Sequence, residues 1–191
     1  MLVKWPNVIK PAKIYNDIMA SEDWMPTLLA AAGDPNVKEK LLKGMKVGDR
    51  TFKNHLDGYN FLPFFKGEVA KGPRHEFFYF TDSGDLMALR YNDWKISFKT
   101  IIGNLFTGHS TSTNVPLVTN LRQDPWELYQ SDSMMYGHWW GEKLWTLIPA
   151  TVIVGQFLET FKEYPPSAPP SNFGVSDALK ALEQGARGAG K

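Results

Sequence analysis

The chain has 191 residues, of which 43% are hydrophobic and 21% charged, and its formal net charge is +1. That balance excludes wholesale disorder and gives no electrostatic reason to expect nucleic acid as a partner. Cysteine is absent, which excludes disulfides, thiolate metal ligands and a cysteine nucleophile within these residues.

Residues 2–5 read as an apolar strand ended by Pro6, with nothing ahead of them to pair with. A strand needs hydrogen-bonded neighbours, so this segment is expected to belong to a larger sheet and the chain to be the rear part of a larger fold. No basic-then-apolar leader precedes it, as expected of a cytoplasmic protein or of one whose leader lies further upstream. Ser21 is expected to cap a turn over 21–25, with Pro26 in the first true helical turn, 27–32 continuing it and Gly33 stopping it. Asp34-Pro35 opens a second short helix over 36–43, capped by Gly44. The polar stretch 46–53 reads as a loop, and 60–65 as a short apolar helix closed by Gly67.

Glu76–Phe80, Leu86–Tyr91 and 95–98 read as an antiparallel meander. Asp82-Ser83-Gly84-Asp85 and Asn92-Asp93 supply its turns. The Gly-, Ser- and Thr-rich stretch 103–114 reads as a loop or hairpin tip, and 117–121 as a fourth strand. A turn at Asp124-Pro125-Trp126-Glu127 precedes a long helix over about 147–162, where Val152, Ile153, Phe157, Leu158 and Phe161 recur at helical spacing. A Pro-rich linker over 167–171, a short helix over 176–182 and a Gly/Ala-rich tail close the chain. No apolar run approaches the roughly 18 residues that span a bilayer. The best, 147–158, is interrupted by Pro149, Gly155 and Gln156, so no membrane is expected as a partner.

The fold expected is α+β: a small four-stranded antiparallel sheet packed by a long C-terminal helix, behind a leading strand and helix of a larger sheet. Three regions follow, 1–55, 56–166 and 167–191.

Recognised catalytic patterns are absent. None of the four histidines, His55, His75, His109 and His138, stands at a zinc-binding spacing. There is no nucleophile-elbow G-x-S-x-G, no phosphate-binding G-x-x-x-x-G-K-S/T and no G-x-G-x-x-G. Asp82-Ser83-Gly84-Asp85 lacks the later ligands of a calcium loop. His55 and Asp57 lie close in sequence, in a stretch whose Asp57-Gly58 reads first as a turn. Two features remain as candidates for a substrate rim: His109 in a polar loop, and Trp139 and Trp140, which with Tyr136 and Trp145 would either pack or form a stacking platform for an aryl or sugar group.

Larger patterns carry more. Leu2-Val3-Lys4-Trp5-Pro6 with Ile9-Lys10-Pro11 comes first, then Ser21-Glu22-Asp23-Trp24-Met25-Pro26-Thr27-Leu28-Leu29 running to Gly33. Leu56-Asp57-Gly58-Tyr59-Asn60 with Leu62-Pro63 and Gly67 follows, ahead of Glu76-Phe77-Phe78-Tyr79-Phe80, Ala88-Leu89-Arg90-Tyr91 and Trp94-Lys95. Asn120-Leu121-Arg122-Gln123-Asp124-Pro125-Trp126-Glu127 ends the set. In order and spacing these resemble the C-terminal part of a sulfatase of the bacterial arylsulfatase type, in the alkaline phosphatase superfamily. The resemblance implies a sulfuric ester hydrolase acting on a sulfated small molecule, in which a hydrated formylglycine attacks sulfur while calcium stabilises the sulfate oxygens. It also implies that the C/S-x-P-x-R motif, the calcium ligands and the sulfate-binding residues belong to an N-terminal sulfatase domain upstream of this chain. Ser167-Ala168-Pro169-Pro170-Ser171 has the Ser and Pro of that motif but no Arg. No catalytic, cofactor-binding or metal residue transfers to a position here, and the chain alone is expected to be inert. The rival expectation is a non-enzymatic module binding an aryl or glycan group through Trp139, Trp140 and Trp145.

Overall fold

The structure, a computed structural model, describes residues 1–81, 84–104 and 107–165. The expected linker, the short helix over 176–182 and the tail lie outside these residues, as does part of the Asp82–Asp85 turn.

Period-two alternation builds the main layer. Strands β3 (Glu76–Phe80), β4 (Leu86–Tyr91), β5 (Trp94–Ile102) and β6 (His109–Asn120) form an antiparallel sheet in the order β3-β4-β5-β6. The register aligns Phe78, Leu89, Ile96 and Val118 across it, so these four side chains share one face. Leu89 and Ile96 are buried there under helix α6 (Leu147–Glu163), which contributes Leu147, Ala150, Ile153 and Val154, and Val118 is buried on the same face. Phe78 stacks on Phe157 at a centroid separation of 3.9 Å and 14° between planes. Burial of each large aliphatic in this layer stabilises the fold by about 1.5–3 kcal/mol. On the opposite face the Lys95 ammonium lies 5.0 Å from the Tyr79 ring centre and bonds both Glu127 oxygens at 2.8 Å. Its stem thereby covers the sheet while its charge is neutralised.

A second core is aromatic. Phe61, Phe64 and Phe65, on and just before helix α3 (Leu62–Lys66), are buried against Trp5, Tyr15, Trp24 and Tyr59. Gly67, at φ +78°, ends α3 in the left-handed region that glycine enters without penalty. Helix α1 (Trp24–Ala31) flanks this cluster through Trp24, helix α2 (Val37–Lys43) packs on α1, and α1 begins from a 3₁₀ turn over Ser21–Asp23.

Several expectations need correction. Residues 2–5 form no strand: Leu2 is fully exposed, and only Trp5 finds packing, edge-on to Phe65 at 6.4 Å. A strand exists only through its partners, and the described residues offer none here. Ser21 does not cap the first turn; the Asp23 carboxylate accepts the Ala20 N–H at 2.8 Å instead. The stretch 46–53 is not a loop but mostly a hairpin, β1 (Met45–Val47) with β2 (Arg50–Phe52), turning at Gly48 with φ +59°.

The polar stretch 109–114 belongs to β6. Its Thr and Ser residues pair with β5, Thr111 opposite Thr100 and Ser110 opposite Ile101, and such pairs support a ladder as apolar ones do. A helix, α5 (Tyr136–Lys143), also forms where none was expected.

The apolar stretch is longer than its sequence suggests. Helical structure from Tyr136 to Glu163 contains an 18-residue window of mean hydropathy 1.3, enough in length and composition to cross a membrane, and 11% of that window is buried. Pro149 does not break it, because in the first turn of α6 its missing N–H costs little. One side of this helix lies on the sheet through Phe157 and Ile153; the other side is open.

Candidate functional site

The motif around Asp23 folds into a joint. Asp23 is fully buried, yet its two carboxylate oxygens each take two bonds. Oδ2 accepts from the Ala20 N–H at 2.8 Å and Arg74 Nε at 2.8 Å; Oδ1 accepts from the Tyr59 N–H at 2.7 Å and Arg74 Nη2 at 2.6 Å. Arg74 also donates to the backbone carbonyls of Glu76 and Asp57, both at 3.1 Å, and stands 3.3 Å from Glu22. Thr27 completes the joint, donating to the Asp23 carbonyl at 2.6 Å and accepting from the Phe61 N–H at 2.9 Å.

A bidentate guanidinium on a carboxylate that is itself bonded to backbone amides is the geometry in which a buried ion pair offsets its desolvation cost. Burial works to lower the Arg74 pKa, but the bond to Asp23 and the charges of Asp23, Glu22 and Glu76 outweigh it and hold the group above its ordinary value. Gly58 is required at this point, since a Cβ there would lie 2.2 Å from the Glu22 carbonyl oxygen. The joint ties the start of α1, the Asp57-Gly58-Tyr59 segment and the entry to β3 into one unit. Its chemistry is positional, because each charge is consumed by the other.

Beside the joint lies a cleft of about 630 Å³, bounded by Glu22, His55, Asp57, Tyr59 and Glu76 on one side and by Phe78 and Phe157 on the other. His55 Nδ1 stands 3.1 Å from Asp57 Oδ1, so the sequence neighbours do meet. The Tyr59 O–H donates to Glu76, and the Lys38 ammonium lies 4.8 Å from the Tyr59 ring centre. Burial first, then the bond to Glu76 and its charge, pushes the Tyr59 phenol above its ordinary pKa. A His–carboxylate pair activates a nucleophile only if one is within reach. Among the described lining residues Tyr59 and Tyr91 carry hydroxyls; that of Tyr59 is committed to Glu76, and the Tyr91 ring lies beside His75, 6.2 Å between centres. Nor do the described residues contain a group of three or more His, Asp or Glu able to hold a metal ion.

The expected rim residues do not converge. His109 pairs with Ile102 at the far end of the β5–β6 hairpin, and it is exposed. Trp139 stacks on Trp94 at the near end, 6.3 Å between centres and 24° between planes. Eight residues of extended strand separate Trp94 from Ile102, about 26 Å at 3.3 Å per residue.

Trp139 also meets Tyr129 edge-on at 5.8 Å, and Trp145 meets Trp94 edge-on at 5.9 Å. Trp140 donates its indole N–H to the Pro116 carbonyl at 3.0 Å, while the Tyr136 hydroxyl donates to the Val118 carbonyl at 3.0 Å and accepts the Val118 N–H at 3.1 Å. Aromatic polar tips from α5 thus occupy the outer edge of β6. Burial raises the Tyr136 phenol, while its backbone bond to Val118 pulls the other way. A pocket of about 460 Å³ opens next to these rings, between Asn120, Asp124, Tyr129, Tyr136 and Trp139.

Arg74 and Glu76 were not legible as site residues. Arg74 lies 51 residues from Asp23, and no local pattern marks the pairing.

No protein-family model matches the chain, and no curated protein matches it. Among solved structures, the PsFucS1 sulfatase from Pseudoalteromonas sp. is similar at 23% identity and a TM-score of 0.46, over 63% of this chain. The chain spans 23% of that protein's length.

Proposed function

We propose that this chain is the C-terminal portion of an arylsulfatase-type sulfuric ester hydrolase. In this reading it supplies the small-sheet subdomain and part of the rim of the substrate cleft. The formylglycine, the calcium ion and the sulfate-binding residues belong to an N-terminal sulfatase domain outside this chain, and the substrate is a sulfated small molecule. No residue described here is assigned to the chemistry.

The observation that carries the reading is the joint. The Asp-x-x-Pro-Thr-Leu motif and the Asp-Gly-Tyr motif, two of the segments on which the resemblance rests, are bonded to each other through Asp23 and Tyr59 and locked by Arg74. Motifs kept in order along a chain and joined in space belong to one working unit. Unpartnered apolar side chains on the same side of the chain's sequence agree with it: Leu2, Ile14, Met25 and Leu28 are all more than half exposed. A larger domain would cover them.

The reading is tested by the coding sequence immediately upstream of Met1. It predicts an in-frame C/S-x-P-x-R motif within a stretch of alternating strands and helices. An unrelated or untranslated upstream sequence would sink it.

A further inference from the structure

We propose that the outward face of α6 is an isologous docking surface for a second copy of this chain, two α6 helices pairing antiparallel across a two-fold axis. This inference is independent of the sulfatase reading, since it uses only side chains left exposed on this helical segment.

Along that face Leu144, Trp145, Ile148, Val152 and Leu158 are 38%, 58%, 73%, 55% and 44% exposed. With Gly155 between Val152 and Leu158, positions 145, 148, 152, 155 and 158 recur at three and four residues and make one continuous stripe, the pattern by which helices seat on each other. Gly155 lies on the same stripe, and a Cβ placed there would meet nothing within 4 Å, so a neighbouring helix has room to approach. The apolar part of the stripe exposes on the order of 400 Å² per copy, the size at which a patch marks an interaction site. Two such faces with their polar rims reach the low end of a standard interface, about 1,200 Å² in total.

Charge selects the occupant. A lipid surface favours a helix whose apolar face is bordered by lysine and arginine. Here the border carries Glu142 and Lys143 at one end and Glu159, Lys162 and Glu163 at the other, three glutamates against two lysines. Those charges suit a second copy instead. An antiparallel pair centred between Thr151 and Val152 sets Ile148 of one copy over Gly155 of the other. It brings Leu144 and Trp145 to Leu158, Lys143 to Glu159 and Glu142 to Lys162. Within one copy Lys162 already holds Glu159 at 2.7 Å and Lys143 lies 3.6 Å from Glu142, so pairing converts two exposed ion pairs into shared networks.

The absence of cysteine makes the test clean. Light scattering on the full chain is expected to give twice the 21.6 kDa chain mass. Val152→Cys, next to the two-fold axis, is expected to form a disulfide-linked dimer on mild oxidation, and Lys46→Cys on β1 is not. Ile148→Lys is expected to weaken association at least tenfold while leaving the thermal transition of the monomer in place. A chain-mass particle at the highest soluble concentration, or equal cross-linking at positions 152 and 46, overturns the proposal. So does binding to phosphatidylcholine vesicles without dimer formation, which would assign the face to lipid. A monomer leaves the sulfatase reading untouched, because that reading is decided by the upstream sequence.

Discussion

Arg74 is the residue on which the joint turns, and its removal leaves Asp23 buried with an uncompensated charge. Arg74→Met is expected to destabilise the fold by about 3–5 kcal/mol, measured by urea unfolding. Many buried ion pairs can be replaced by apolar pairs at little cost, but this one should resist. Asp23 also accepts the Ala20 and Tyr59 N–H groups, so Asp23→Leu added to Arg74→Met orphans two buried donors at about 1–3 kcal/mol each. Recovery of wild-type stability by the double variant would show that the carboxylate serves Arg74 alone.

Tyr59 makes a pH prediction. Its folded pKa is raised, so the neutral phenol is the form the fold holds. That contribution is fully present below the ordinary tyrosine value, about 10, and is lost as the pH rises above it. Thermal melts taken between neutral pH and about pH 11 should fall more steeply for the wild type than for Tyr59→Phe. Parallel curves would mean that burial and the bond to Glu76 do not raise the phenol.

At the scale of elements, the sheet is guarded at one edge by aromatic side chains. Tyr136 satisfies both outward backbone groups of Val118, and Trp140 satisfies the Pro116 carbonyl. Tyr136→Phe keeps the ring packing but strips those bonds, at an expected cost of about 1–3 kcal/mol and with faster hydrogen exchange at the Val118 amide. An unchanged exchange rate would mean that another group protects the edge. In the core beneath α6, Leu89→Ala should cost about 2–5 kcal/mol, since Leu89 is wholly buried among Phe78, Ile96 and Ala150.

The elements that were legible in the sequence are those governed by local chemistry. Gly33, Gly44 and Gly67 end their helices, Asn92-Asp93 turns β4 into β5, and the 3.6-residue pattern marks α6. Those that were not legible depend on distant partners. The Ser/Thr run at the start of β6 looks like a loop until β5 pairs with it, and residues 2–5 look like a strand although the described residues give them no partner. The joint hides for the same reason. The residues expected at a rim do not share one place, because the length of the hairpin sets His109 far from Trp139.

For the whole molecule, the sheet with its helix and the aromatic cluster around Phe61 form two cores joined through Asp23 and Arg74. On either side of that joint apolar surface remains open, at Leu2, Ile14 and Leu28 and along the outer face of α6. The proposed function assigns the first surface to a sulfatase domain and leaves the chain without chemistry of its own. The most direct measurement is therefore turnover of a sulfated aryl chromogen, by the purified chain alone and by the same chain produced together with its upstream coding sequence. We predict no release of the aryl alcohol in the first case and calcium-dependent release in the second. Release by the chain alone, or silence from both, would contradict the assignment.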